Sequence, residues 1–485
     1  MSIPESGVGI IYFSGFEQIL ESNPDLIQVI EIEPQTFWYR SNSGLDSFTF
    51  DKEKVDYLKS SQKTKLFHGV GYPIGGILQP NINHLGCLKQ MELELNPVGM
   101  SEHLSFNNIK IDNHILNTNF LLPPLQSPEG LEIAVNSILK YKNYFNIPFS
   151  FETGVNYLAP KNYEIEDGLF INTVAENSNC DILLDIHNII ANERNGRQKV
   201  RNFFKQISHE RVTQIHLAGG FYYKGYYLDA HSNISSDEII KVFENIVCQL
   251  PNLKAIIFEM LPEYLSFIPQ NAISIQLEKM NRIWERRGIY HKRNKIVSNK
   301  KINSPPPTVA EWELTLGTLA IGRDLTCDTE LSRELKIDKG LIIIKELVEK
   351  FKGSLIVSSL KLSCRYFALK YGMNEFNDVL RVYWKNSISK LFASDNGLDF
   401  AKYLMSSSEF KDDEDLETII KYEIASINSI VSESAIEVQL IYHPEEMVNC
   451  LANLELFDNL KKNNYLVTIE PDFKKIDGIN TVFHS

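Results

Sequence analysis

The chain has 485 residues, 62 Asp and Glu against 49 Lys and Arg, a formal charge of −13 and 43% hydrophobic residues. That composition supports a large core, excludes a disordered or collagen-like polymer, and argues against general nucleic-acid or anionic-membrane binding, which needs a net basic face. Six cysteines, Cys87, Cys180, Cys248, Cys327, Cys364 and Cys450, are too sparse for a disulfide framework, and no CxxC pair offers a zinc knuckle or redox dithiol, so a reducing compartment is expected.

The chain opens on MSIPESGVGIIYF, which lacks the positively charged start and the small-residue cleavage site of a signal peptide, and no run of about 18 apolar residues follows anywhere. The expectation is a soluble cytoplasmic protein. Eight short apolar runs then alternate with amphipathic stretches: 7–13, 28–33, 64–68, 98–104, 147–152, 181–185, 212–216 and 254–259. Most are nearly continuous in apolar residues, as strands buried on both faces are. The intervals hold helical patterns such as Leu131 to Phe145. Eight β-α units in roughly 280 residues predict a (β/α)8 TIM barrel over 1–285.

From Arg282 to Lys301 eight basic residues face one acid, Glu285. With INSPPPT (302–308) this stretch reads as a basic, Pro-rich linker over 286–308. Beyond it the pattern changes. Leu341 to Lys352, Phe376 to Phe392, and Leu416, Ile419, Ile420, Ile424, Ile427 and Ile430 have helical spacing, with DDEDLE (412–417) opening the last helix favourably for its dipole. Ile436, Val438, Leu440 and Tyr442 alternate with polar residues, and 465–469 is a candidate partner strand. A smaller, mostly helical α+β domain over 309–485 is expected.

Functional residues of such barrels sit at the carboxyl ends of the strands. Here those ends carry Glu33, His68, Glu102 with His103, Glu152, Asp185, His216 and Glu259. DIHN (185–188) adds Asn188, and DAH (229–231) places Asp229 and His231 on one side of an extended segment. Imidazole and carboxylate without thiolate suit a catalytic iron, manganese or zinc. The nine candidates, His68, His103, Glu152, Asp185, Asn188, His216, Asp229, His231 and Glu259, exceed the needs of one ion, and two or three metals bridged by carboxylates would use them all. Glu33 and Glu102 read better as supporting residues, and His114, His209, His291, His443 and His484 as surface or structural ones. GVGYPIGG (69–76) lacks a phosphate-loop Lys-Ser/Thr and is a turn beside His68. Tyr222, Tyr223, Tyr226 and Tyr227 either wall a substrate cleft or pack on the barrel rim.

In this order, GVG, LFHGVG, SEHLSF, FETGVNYL, LLDIHN, QIHLAGG, DAH and FEM over about residues 7–280 resemble the multinuclear non-haem iron-dependent oxidative enzymes, the family of the methanobactin-biosynthesis oxidase. The resemblance implies a barrel holding two or three irons of mixed valence, with the same nine residues as ligands. It implies oxidation, with dioxygen as co-substrate, of cysteine or another residue of a ribosomally made precursor peptide. Thr153, His187 and EPQTF (33–37) depart from the family pattern without removing a presumed ligand. The segments 393–404 and 419–427 resemble the helical partner proteins of such oxidases, so the second domain is expected to recruit the peptide, in place of or alongside a separate partner protein. The competing readings are a divalent-metal sugar isomerase or endonuclease-like barrel, and a non-catalytic metal- or peptide-binding module.

Overall fold

The computed structural model describes residues 3–40, 48–78, 82–111, 114–290, 296, 304–387 and 389–471. All eight expected runs form strands: β1 (Gly7–Tyr12), β2 (Val29–Ile32), β3 (Thr64–Gly69), β4 (Met100–His103), β5 (Phe149–Glu152), β6 (Asp181–Asp185), β7 (Val212–Leu217) and β8 (Ala255–Phe258). Each pairs in parallel with the next, and β8 returns to β1, which closes the barrel. Gly9 permits the close approach of β2, since a Cβ there would lie 1.8 Å from the Val29 carbonyl oxygen.

Alternation along the strands explains how nearly continuous apolar runs still build a polar interior. Outward residues such as Ile30, Ile32, Phe67, Phe151, Ile182, Leu184 and Ile256 pack against the helix layer in the main core. Ile11, Val29, Leu66, Ala255 and Ile257 form a separate small apolar cluster with Ile3. Two positions further along come polar residues, Glu31 after Val29, His68 after Leu66 and, just past the end of β8, Glu259 after Ile257. The polar layer therefore rests on an apolar floor.

The helix expected over 131–145 is Pro128–Tyr144, begun by Ser127, whose hydroxyl accepts from Gly130 N. After Gln270–Trp284, residues 286–290 still turn back on the barrel: Arg287 lies over the Trp284 ring at 4.0 Å, and Gly288 N and Tyr290 N donate to Val247 and Cys248. Most of the expected linker, 291–295 and 297–303, lies outside the described residues.

The second region is helical as expected, with helices Val309–Ala320, Glu330–Ile337, Lys339–Ser359, Lys361–Tyr371, Met373–Asn386, Ala393–Ser406, Glu414–Ser432 and Pro444–Ala452. Ile436–Leu440 and Tyr465–Ile469 pair antiparallel. The helix expected over 376–392 stops at Asn386, because Ser387 turns extended and its carbonyl accepts from Arg323 instead of an intrahelical N–H. The region holds two cores. Val309, Trp312, Leu316, Leu335, Ile344 and Val348 pack on Phe106, Ile109, Leu116, Leu122, Tyr157 and Leu228 from loops of the barrel. Ile356, Phe367, Phe400, Ile419, Leu440 and Phe457 belong to a core confined to the second region.

Candidate metal centre

Strand register brings the polar ends together. His103 of β4 lies beside Glu152 of β5, and Asp185 of β6 beside His216 of β7, the latter pairing set by a register shift after Ile182. Asp185 then caps the helix Ile186–Arg194, its Oδ1 accepting from Asn188 N at 2.6 Å. Asp229 and His231 follow β7 in a loop where His231 holds a left-handed φ of 42°, a conformation that costs a non-glycine residue about 1–3 kcal/mol and clusters at functional sites. His187 ties this loop down through Nε2, which donates to the Leu228 carbonyl at 3.1 Å.

Among the described residues two groups have the spacing of metal ligands, each with ligand atoms within 4.8 Å of one another: His68, His103 and Glu152, and Glu152, Asp185, His216 and Glu259. Glu152 is common to both. Its Oε2 lies 3.2 Å from His68 Nε2 and 2.8 Å from His103 Nε2, and its Oε1 lies 3.5 Å from His216 Nδ1. Glu259 plays a similar part further on, with Oε2 2.9 Å from His216 Nδ1 and Oε1 2.9 Å from His231 Nδ1. His231 Nε2 in turn lies 2.6 Å from Asp229 Oδ1. Seven of the nine expected residues thus form one chain of short approaches, and Asp185, the eighth, lies within 4.8 Å of Glu152, His216 and Glu259. The ninth, Asn188, joins through Asp185 and donates from Nδ2 to the Thr153 carbonyl at 3.2 Å.

These side chains fit a metal centre. Glu152 Oε2, Asp185 Oδ2, Asn188 Oδ1, both ring nitrogens of His216, Asp229 Oδ1, His231 Nε2 and Glu259 Oε2 are buried and have no aligned hydrogen-bond partner. Such clustered orphans among buried polar atoms ask for an ion. The acids exceed what the fold neutralises by other means, and protonated imidazoles or metal cations must balance them. Burial works against charge on His103, yet the charges and hydrogen bonds of Glu152 and Glu102 raise it well above the usual imidazole range. Burial, then the charges of Glu152 and Asp229, raise Asp185 well above the carboxylate range. Burial, then the charge of Glu259, lifts Glu33 to about 7.

The supporting residues are equally specific. His68 Nδ1 meets Ser101 Oγ at 2.8 Å and His103 Nδ1 meets the Gly69 carbonyl at 2.9 Å, so both rings turn Nε2 toward Glu152. Thr153 Oγ1 accepts from Asp185 N at 3.0 Å. Glu102 takes no place in the centre: its Oε1 accepts from His103 N and its Oε2 faces the Tyr141 hydroxyl on the helix side. The four tyrosines form a small hairpin on the rim, where Lys350 lies over Tyr223 at 4.1 Å and Arg194 over Tyr227 at 4.1 Å. Sequence reasoning passed over Glu31, which is wholly buried with Oε2 2.6 Å from His216 Nε2. The signal was present, since Glu31 lies two residues before Glu33, which continues the extended backbone of β2, and alternate residues of an extended segment point the same way.

Fold and site together define a (β/α)8 barrel with a histidine–carboxylate cluster of metal-ligand spacing at the carboxyl ends of its strands. Residues 7–267 match the family described as RiPP precursor modification enzyme MbnB/TglH/ChrH, and the chain belongs to that family, whose members act on ribosomally made precursor peptides. Relatives include a UPF0276 protein of Psychromonas ingrahamii, 28% identical over 37% of this chain and 63% of its own length, and UPF0276 protein VV3194 of Vibrio vulnificus, 28% identical over 38% and 62%. The chain thus spans less than two thirds of these relatives. Among solved structures, D-psicose 3-epimerase from Clostridium cellulolyticum has a TM-score of 0.36 at 11% identity, covering 57% of this chain and 96% of its own. The zinc-bound IOLI protein has a TM-score of 0.37 at 10% identity, covering 58% and 99%. Similarity at this level bears on neither substrate nor reaction. Among the described residues no helix is long and apolar enough to cross a membrane.

Proposed function

We propose that this protein is a multinuclear iron-dependent oxidase that modifies a residue, cysteine in our reading, of a ribosomally made precursor peptide with dioxygen as co-substrate. The observation that carries this reading is the sharing of Glu152 between two ligand groups, which is how neighbouring ions are held close enough to act together. The ligands in this reading are His68, His103, Glu152, Asp185, Asn188, His216, Asp229, His231 and Glu259. Iron in such a site supplies redox capacity toward dioxygen and an acceptor for a substrate thiolate. The chain's own part is positional. His68 and His216 are sealed, whereas the side chains of His103, Asp229 and His231 keep some exposure, so the peptide reaches the centre from their side. Tyr157 orients the Asp229 segment, its hydroxyl accepting from Asp229 N at 3.0 Å. Glu33 stands beside the centre as a supporting carboxylate, with His68, His103 and Glu259 among the charges it feels.

The second region is proposed to recruit the peptide. Ile436–Leu440 and Tyr465–Ile469 form a sheet of two strands, which offers edges for strand addition. The test is direct: protein purified without oxygen, loaded with iron and mixed with its cognate peptide, is exposed to oxygen and the peptide weighed. A mass change that requires both iron and oxygen is expected. An unchanged peptide, or activity with zinc or manganese alone, would overturn the oxidase.

A further inference from the structure

We infer that Glu31 is a positioning residue for His216, selecting the ring nitrogen by which that histidine meets its metal. The inference rests on the metal-centre reading and deepens it. Glu31 comes from β2 and reaches across the barrel interior to β7, where its Oε2 stands 2.6 Å from His216 Nε2. Neither atom has an aligned hydrogen bond, but a carboxylate so close favours the tautomer that carries its proton on the near nitrogen, Nε2. The other nitrogen, Nδ1, faces Glu259 Oε2 at 2.9 Å and Glu152 Oε1 at 3.5 Å, both in the four-residue ligand group. A neutral imidazole has one donor and one acceptor, and holding the proton at Nε2 leaves the Nδ1 lone pair for the ion.

His68 and His103 show the opposite choice, with Nδ1 anchored by Ser101 and by the Gly69 carbonyl and Nε2 turned inward to Glu152. Both of those anchors are neutral. His216 has a carboxylate, which fixes the ring and also makes it a stronger donor to a cation. Neither Glu31 oxygen has an aligned hydrogen-bond partner and the residue is completely buried, so its close approach to this ring is the polar contact that its position offers.

The test uses cobalt(II) as probe on metal-stripped full-length protein, read by visible absorption and by elemental analysis, with His103→Ala marking the signal of the other group. Glu31→Gln keeps size and loses charge; Glu31→Leu also removes the acceptor. Both are expected to bind cobalt normally at the His68, His103 and Glu152 group and about 10–100-fold more weakly at the His216 group, with an altered band there. Wild-type affinity and spectrum in a folded Glu31→Gln variant would overturn the inference, as would equal weakening at both groups, which marks general support of the barrel. If Glu31→Leu fails to fold, Glu31→Gln decides. A wild-type protein that binds no cobalt overturns the metal reading as well, whereas cobalt binding unaffected by the variants overturns only the role of Glu31.

Discussion

At the scale of residues the centre depends most on Glu152, because its two oxygens serve different groups. His103→Ala is therefore expected to lower metal content by one ion per chain, and Glu152→Ala by at least two, with elemental analysis of reconstituted protein as the measurement. An equal loss in the two variants would deny Glu152 its bridging place. Most of the gathered side chains were legible in the sequence because barrel geometry sends strand ends to one mouth, whatever the length of the connecting helices. Ser101 was not, because a serine inside a strand carries no mark of what it faces, and Glu31 could be read only through its i, i+2 relation to Glu33. Glu102 was ambiguous for the same reason of alternation. It adjoins His103, but neighbours on a strand point to opposite faces, and only one of the pair can enter the centre.

At the scale of elements, the eight strands were visible as apolar runs, whereas helix ends in the second region depend on partners far away in sequence, as the Arg323 contact with Ser387 shows. The same holds for helix Lys339–Ser359. Asp338 begins it, with Oδ1 accepting from Gly340 N, while Oδ2 takes Lys161 Nζ at 2.7 Å and Ala159 N at 3.0 Å from the loop after β5. Asp338→Ala is expected to cost about 3 kcal/mol, since it leaves a buried lysine without its nearest carboxylate, and urea denaturation would measure it. Gly340→Ala places a Cβ 2.0 Å from the Tyr157 carbonyl oxygen and is expected to cost about 1–3 kcal/mol by forcing that seam apart. A variant as stable as wild type would show that the seam has room.

Glu423, within helix Glu414–Ser432, gives a pH-dependent prediction. It accepts from Leu362 N, Ser363 N and Ser363 Oγ, yet burial outweighs these bonds and raises it from 4.5 to about 7. The folded protein therefore holds a proton that the unfolded chain has lost. Stability from this group is fully present below about pH 4.5 and is lost as pH rises through about 7, by about 3 kcal/mol at most. The denaturation midpoint of the second region should be higher near pH 5 than near pH 7.5, and Glu423→Gln should flatten that difference. A midpoint that rises with pH in wild type and not in the variant would reverse the assignment.

At the scale of the whole molecule, the change of pattern after the basic stretch marks a change of sequence character more than a break in packing. The helices Val309–Ala320 and Glu330–Ile337 and the first half of Lys339–Ser359 share their core with loops of the barrel mouth. Tyr157 belongs to that core and also holds Asp229 N, so the seam and the metal centre are joined by one side chain. A chain ending at residue 308 is expected to expose Phe106, Ile109, Leu116 and Leu122, to aggregate, and to bind less metal at the Asp229 and His231 end than at the His68 and His103 end. Undiminished cobalt binding by soluble 1–308 would show the barrel to be self-sufficient.

Helix Lys339–Ser359 carries Ile344 and Val348 in one core and Ile356 in the other without a break between them. Its central amides cannot open to solvent unless one of two hydrophobic bodies has already let go. In hydrogen exchange those amides should therefore be among the slowest of the second region, and the two bodies should lose protection together, as a single cooperative unit.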